Sequence, residues 1–240
     1  MEKLEKFQLL VSCAAISLAI LISALVFAFQ MPKNESITVT GSASKIVKSD
    51  NAKLSFMLET RAKTQKEAFR IINSYHPEII KYLTSKGIDK KDIDIKPING
   101  YYNYKNVNGY STSEIQDYSA NQYIDIKSKD VEKIKEISTD MQSLSDKGIE
   151  MHIERPEFYY SDLASIKIEL LKDASKDAKE RAKSMLSATG SSVGKVKQIR
   201  MGVFQITPPD STDVSDYGVN DTSTIDKKVT AVANVVFKVR

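Results

Sequence analysis

The sequence predicts an α+β body behind one N-terminal membrane-spanning helix. Three observations carry that reading. Residues 9–29 hold no charged side chain. Segments with alternating apolar residues come in adjacent pairs, and helical 3–4 spacing appears between them. The order ββαββαβαββ favours mixed or antiparallel sheets with helices packed on one face over a doubly wound parallel sheet.

At the helical rise the uncharged stretch spans about 31 Å, close to the hydrocarbon thickness of a bilayer. Lys3 and Lys6 precede it, diluted by Glu2 and Glu5, and Met31-Pro32-Lys33 ends it. It is longer than a cleaved signal's apolar core of about 7–15 residues. The expectation is an uncleaved signal-anchor over residues 1–32 and an extracytoplasmic α+β domain over 33–240, with room for two subdomains. The basic flank places the N-terminus inside and the body outside, periplasmic or on the cell surface. Val26-Phe27-Ala28 leaves cleavage open as the alternative. Leu10-Val11-Ser12-Cys13 is a poor lipobox, because most of the apolar core follows the cysteine.

Residues 36–47 alternate around Ile37, Val39, Gly41 and Ala43, predicting a strand, and Ser49-Asp50-Asn51 is a turn. Leu54, Phe56 and Leu58 mark a second strand. Thr64 and Glu67 fit a capping box, followed by Ala68, Ile71, Ile72, Tyr75, Ile79 and Leu83 at helical spacing. Pro77 is expected to kink or break that helix, and Gly87 to close it. Ile93 and Ile95 open a third strand that runs into Tyr101-Tyr102-Asn103-Tyr104. Residues 106–113 read as a polar turn and 118–126 as a fourth strand.

Asp130 is placed to cap a helix carrying Val131, Ile134, Ile137, Met141 and Leu144, closed by Gly148. Ile149, Met151 and Ile153 begin a fifth strand that reaches Tyr159. The longest helix is expected over about 162–189, with an apolar stripe through Leu163, Ile166, Leu170, Ala174, Ala178, Ala182 and Met185. Residues 196–206 read as a sixth strand. A polar loop, 207–224, precedes a strand through Val229, Ala231, Ala233, Val235, Phe237 and Val239.

Composition narrows the function classes. Of 240 residues, 41% are hydrophobic and 28% charged, which fits a globular body. The net charge of +4 comes from 35 basic and 31 acidic residues interspersed along the chain, without the basic run of a nucleic-acid binder. The one cysteine, Cys13, lies in the apolar stretch, so the body has no thiol for a disulfide, a zinc site or nucleophilic chemistry.

The catalytic and cofactor motifs are missing. His76 and His152 have no metal-ligand spacing. No GxSxG, GxGxxG or GxxxxGK[ST] is present. Asp210, Asp213, Asp216 and Asp221 do not fit a calcium loop and read as a solvated, flexible stretch. The expectation is no catalytic, cofactor or metal site. The most suggestive cluster is Tyr101, Tyr102, Tyr104, Tyr110, Tyr118 and Tyr123, on two strands joined by a polar turn. Its plainest account is cross-strand pairing, with a subunit-contact surface second and a ligand platform third.

Several stretches together resemble the bacterial SIMPL-domain family of exported proteins. They are residues 37–43 (ITVTGSA), Ser49-Asp50-Asn51-Ala52, Gly87-Ile88 with Lys91-Asp92-Ile93, and a run from Ala174 to Ile199. That run includes Asp177, Ala178, Arg181, Ala182, Gly190, Val193, Gly194 and Val196. Ser49 stands where the family usually has proline. The resemblance implies an α+β fold, an extracytoplasmic location, homo-oligomerisation and envelope-associated, stress-linked roles, and it supplies no catalytic residues. The function expected is therefore that of a non-enzymatic, membrane-anchored envelope protein acting through homo-oligomeric assembly, without nucleic acid or cofactor. The alternatives are a module binding a small ligand or peptide, and then an envelope hydrolase.

Overall fold

The computed structural model describes residues 2–30 and 35–240, the side chains at 2–6, 8–11, 13 and 27–30 excepted. Helix α1, Glu2–Gln30, covers the apolar stretch. Among the described residues, no helix is long and apolar enough to cross a membrane. Met31-Pro32-Lys33 and the side chains of Phe27, Ala28 and Cys13, on which the boundary, cleavage and lipobox readings fall, lie outside the described residues.

The rest is α+β, with mixed and antiparallel sheets. Its elements are β1 (Ser36–Lys48), β2 (Asn51–Ala62), α2 (Gln65–Ser85), β3 (Ile93–Ile95), β4 (Asn99–Val107), β5 (Tyr110–Ser128) and α3 (Val131–Asp140). Then come β6 (Met151–Ile153), β7 (Glu157–Tyr159), α4 (Leu163–Ser187), β8 (Val193–Met201), β9 (Gln205–Thr207), β10 (Val219–Asn220) and β11 (Asp226–Val239).

The chain divides into two compact units. The larger comprises residues 40–178 and 200–234, and the smaller 1–39, 179–199 and 235–240. Within the larger unit, a six-stranded sheet has the order β3-β5-β2-β6, with β4 also on β5 and β7 also on β2. The series β2-α2-β3-β5-α3-β6 in the spatial order β6-β2-β5-β3 is a ferredoxin-like arrangement. Leu54, Phe56 and Leu58 of β2 and Ile124 and Ile126 of β5 face one side. Ile72, Ile79 and Leu83 of α2 and Val131, Ile134 and Ile137 of α3 join them in the core. Each such side chain stabilises the fold by about 1.5–3 kcal/mol through burial. Strands β1, β11, β9 and β10 form a second sheet in that order, with β8 also on β11.

Local signals mostly act as the residues suggest. The Thr64 hydroxyl accepts from Glu67 N at 3.3 Å, and Asp130 accepts from Lys133 N at 3.1 Å, so both caps form. Pro77 neither breaks nor ends α2, which runs unbroken to Ser85. It sits on the exposed side, where water can serve the carbonyl it leaves unpaired. The expected third strand is two. Chain between Ile95 and Asn99 contains Pro97, which cannot donate to a ladder. The fifth divides at Arg155-Pro156 and the sixth at residues 202–204. Leu144 lies in a 3-10 turn, Met141–Lys147, beyond the end of α3.

Ser49 N donates to Ile225 O at 2.8 Å, a bond that proline at this place could not make. Asp50 accepts from Ser161 N at 2.9 Å and from the Ser161 hydroxyl, fixing the corner between β1 and β2.

Candidate functional site

Strands β4 and β5 form an antiparallel ribbon that extends past the core. Its turn is Asn108-Gly109, with φ of 54° and 85°, the positive pair a two-residue hairpin requires. The polar turn expected over residues 106–113 is thus shortened to two residues, and the strands run through the remainder. Along β4 every residue except Asn103 is exposed. In β5 the first seven residues are exposed apart from Thr112, and burial begins at Tyr118. The distal ribbon has no core on either face. It is held by cross-strand pairs such as Lys105 with Glu114, and by Asn103, which donates to Ser119 Oγ at 2.7 Å.

The tyrosines separate into two groups. Tyr118 is only 4% exposed and belongs to the core. Its ring lies edge-on to Tyr102 at 4.8 Å and to Phe69 at 6.2 Å, so it is a packing residue rather than a surface one. Tyr101, Tyr102, Tyr104, Tyr110 and Tyr123 are exposed, Tyr110 at 79%. Val107 and Ile115 add exposed apolar area on the same ribbon. The outer edge of β4 has no strand beside it among the described residues. Its unpaired N–H and C=O groups therefore offer a template for another strand.

Beside the ribbon, on the sheet face away from α2 and α3, lies a polar hollow of about 400 Å³. The strand registers build it: Tyr101 opposite Ser119 opposite Arg61, and Asn121 opposite Glu59. Glu150 joins from the chain entering β6, where its carbonyl accepts from Glu59 N at 3.1 Å. Further along this face Asp125 accepts from Ser55 at 2.7 Å and pairs with Lys53 at 3.3 Å. Burial works against its charge, but Ser55 and Lys53 outweigh burial and hold the carboxyl below its ordinary pKa.

The histidines do not meet. His76 on α2 reaches Gln122 Oε1 at 2.6 Å on the core side of β5. Gln122 donates its amide to Lys96 O at 2.6 Å, which leaves its oxygen as an acceptor, so His76 Nε2 carries the proton. His152 stands opposite Met57, on the other face. Among the described residues no three His, Cys, Asp or Glu side chains are grouped to hold a metal.

The acidic loop is more ordered than its composition suggests. Gln205, buried, accepts from Val219 N at 2.9 Å and donates to Ser215 O at 2.8 Å. Asp221 accepts from Ser223 and Thr224 and pairs with Lys227, which is 2% exposed. Sequence spacing gave no sign of that ion pair, since Asp221 resembled its three exposed neighbours.

The model of the SIMPL family, described as a protein of unknown function (DUF541), matches residues 37–237. The chain belongs to the SIMPL family. No curated protein matches it individually. The matched span takes in both sheets, α2, α3, α4 and the ribbon of this SIMPL chain.

Proposed function

We propose that this SIMPL chain is a non-enzymatic, membrane-anchored envelope protein that works as a homo-oligomer. The single observation that carries the reading is the ribbon. It presents four exposed tyrosines, Tyr101, Tyr102, Tyr104 and Tyr110, with Val107 and Ile115, beside an unpaired strand edge. Tyrosine, whose ring covers area at low entropy cost, is enriched at protein contacts. A two-stranded ribbon without a core is marginal alone and gains order from a partner. The anchor rests on the uncharged residues 9–29, and their basic flank puts the body outside the cytoplasm.

Light scattering on the detergent-extracted full chain is expected to give a protein mass that is a discrete multiple of 26.8 kDa. Tyr104→Ser with Tyr110→Ser should lower that mass without unfolding the body, because both side chains are exposed. A monomer for the unaltered chain would sink the assembly reading. The hollow at Tyr101 favours a second reading, capture of a small polar ligand among Glu59, Arg61, Asn121 and Glu150. Under that reading Arg61→Ala changes ligand binding and leaves the mass unchanged.

A further inference from the structure

The charge of the chain is unevenly divided between its units. The larger unit carries 25 basic and 27 acidic side chains. The folded part of the smaller one, residues 35–39, 179–199 and 235–240, carries seven basic against two acidic, Glu35 and Glu180. Lys179, Arg181 and Lys183 lie on the last turns of α4, Lys195 and Lys197 on β8, and Lys238 and Arg240 at the end of β11. All seven are exposed. The cluster was invisible in the sequence because three separated segments contribute to it.

Backbone bonds draw these segments to the place where the chain arrives from α1. Val239 N donates to Glu35 O at 3.1 Å. Arg240 and Ser192 exchange two bonds, at 2.7 and 2.9 Å, two residues past Gly190 that follows α4. Five peptide steps join Gln30 of α1 to Glu35. Their Cα atoms therefore lie within about 19 Å of each other. A body tethered this closely has its entry strand beside the headgroups, whatever its tilt. Two exposed apolar side chains accompany the cations: Ile199, on the same face of β8 as Lys195 and Lys197, and Met185, one turn after Arg181 on α4. Lysines interleaved with exposed apolar residues are the composition of surfaces that lie on membranes: the apolar groups enter the headgroup boundary, and the amines reach lipid phosphates.

We propose that the smaller unit docks on the anionic lipid surface of the bilayer in which α1 is anchored. The inference rests on the anchor reading of residues 9–29, and its partner is the headgroup layer itself. The cations meet a negative surface potential, an attraction that salt screens within a Debye length. Contact through a tether this short holds the smaller unit at a fixed height on the bilayer.

The test uses the full chain, with Cys13→Ser and a polarity-sensitive fluorophore on Gln198→Cys, in phosphatidylcholine vesicles with or without phosphatidylglycerol. Lys66→Cys, on α2, carries the control label. The expected result is a several-fold lower access of an aqueous quencher to residue 198 in the phosphatidylglycerol vesicles. That protection should be weakened by salt and lost with Lys183→Gln, Lys195→Gln and Lys238→Gln together, while the control label is unchanged. Equal quenching at residue 198 in both lipids overturns the proposal. An alkaline wash separates the two readings. If the chain leaves the vesicles, the anchor reading fails. Docking by the basic cluster is then judged by salt-sensitive binding of the free chain to phosphatidylglycerol vesicles, whose absence overturns it.

Discussion

Gly41→Ala is expected to destabilise the body by about 3 kcal/mol, at the upper end of the usual cost of overpacking. A Cβ built on Gly41 would lie 2.2 Å from Ala174 O, 2.4 Å from Ala178 N and 2.7 Å from Ala178 Cβ. Two of these atoms are helix backbone, so no rotamer change relieves the clash and β1 must move off α4. The same closeness explains the stripe of small residues. Ala174 and Ala178 are fully buried, and Ser42 N donates to Asp177 at 2.8 Å, pinning strand to helix. For a body of this size the loss corresponds to a fall in Tm of about 6–12 °C. Gly202→Ala is the control: its nearest neighbour would be at 3.5 Å, an ordinary contact, and Tm should hardly change.

Asp221→Ala is expected to cost about as much, roughly 3 kcal/mol, because it strands a buried charge. Lys227 Nζ donates to Asp221 O at 2.6 Å and lies 3.4 Å from the carboxylate. The carboxylate also organises the turn through Ser223 N at 2.9 Å and the Thr224 hydroxyl. Burial opposes its charge, yet the bonds from Thr224 and Ser223 and the charge of Lys227 hold its pKa down to about 2. A carboxyl depressed in this way stabilises the fold above its unfolded pKa and ceases to do so as pH falls through its folded one. The contribution should therefore be present above about pH 4 and disappear toward pH 2. Urea midpoints across that range should fall less steeply in Asp221→Asn. Adding Lys227→Met to Asp221→Ala should recover much of the loss, since neither charge is then left alone.

The local elements were legible because their signals are local. Thr64, Asp130, Gly87 and Gly148 mark helix ends by chemistry that needs no distant partner. The alternation in β2 and β11 shows directly which residues are inside. Failures fell where tertiary context decides. Pro77 could stay in α2 because that position faces water. The ribbon was underestimated because exposed strands have no apolar alternation to reveal them, and only Asn108-Gly109 announced the turn. Tyr118 could not be told from its exposed neighbours. Its burial depends on Phe69, far away in the chain. The basic cluster, the polar hollow and the Asp221–Lys227 pair depend on strand order and loop course, which no spacing encodes.

The assembly reading is tested most directly in membranes holding the full chain, by disulfide trapping at the tip of the ribbon. In a Cys13→Ser background, Tyr110→Cys is compared with Lys66→Cys on the exposed side of α2 under mild oxidation. The account predicts rapid, high-yield cross-linking between copies at residue 110 and little at 66. Equal, low yields at both positions would contradict it, because the ribbon would then be no closer to a second copy than the back of a helix.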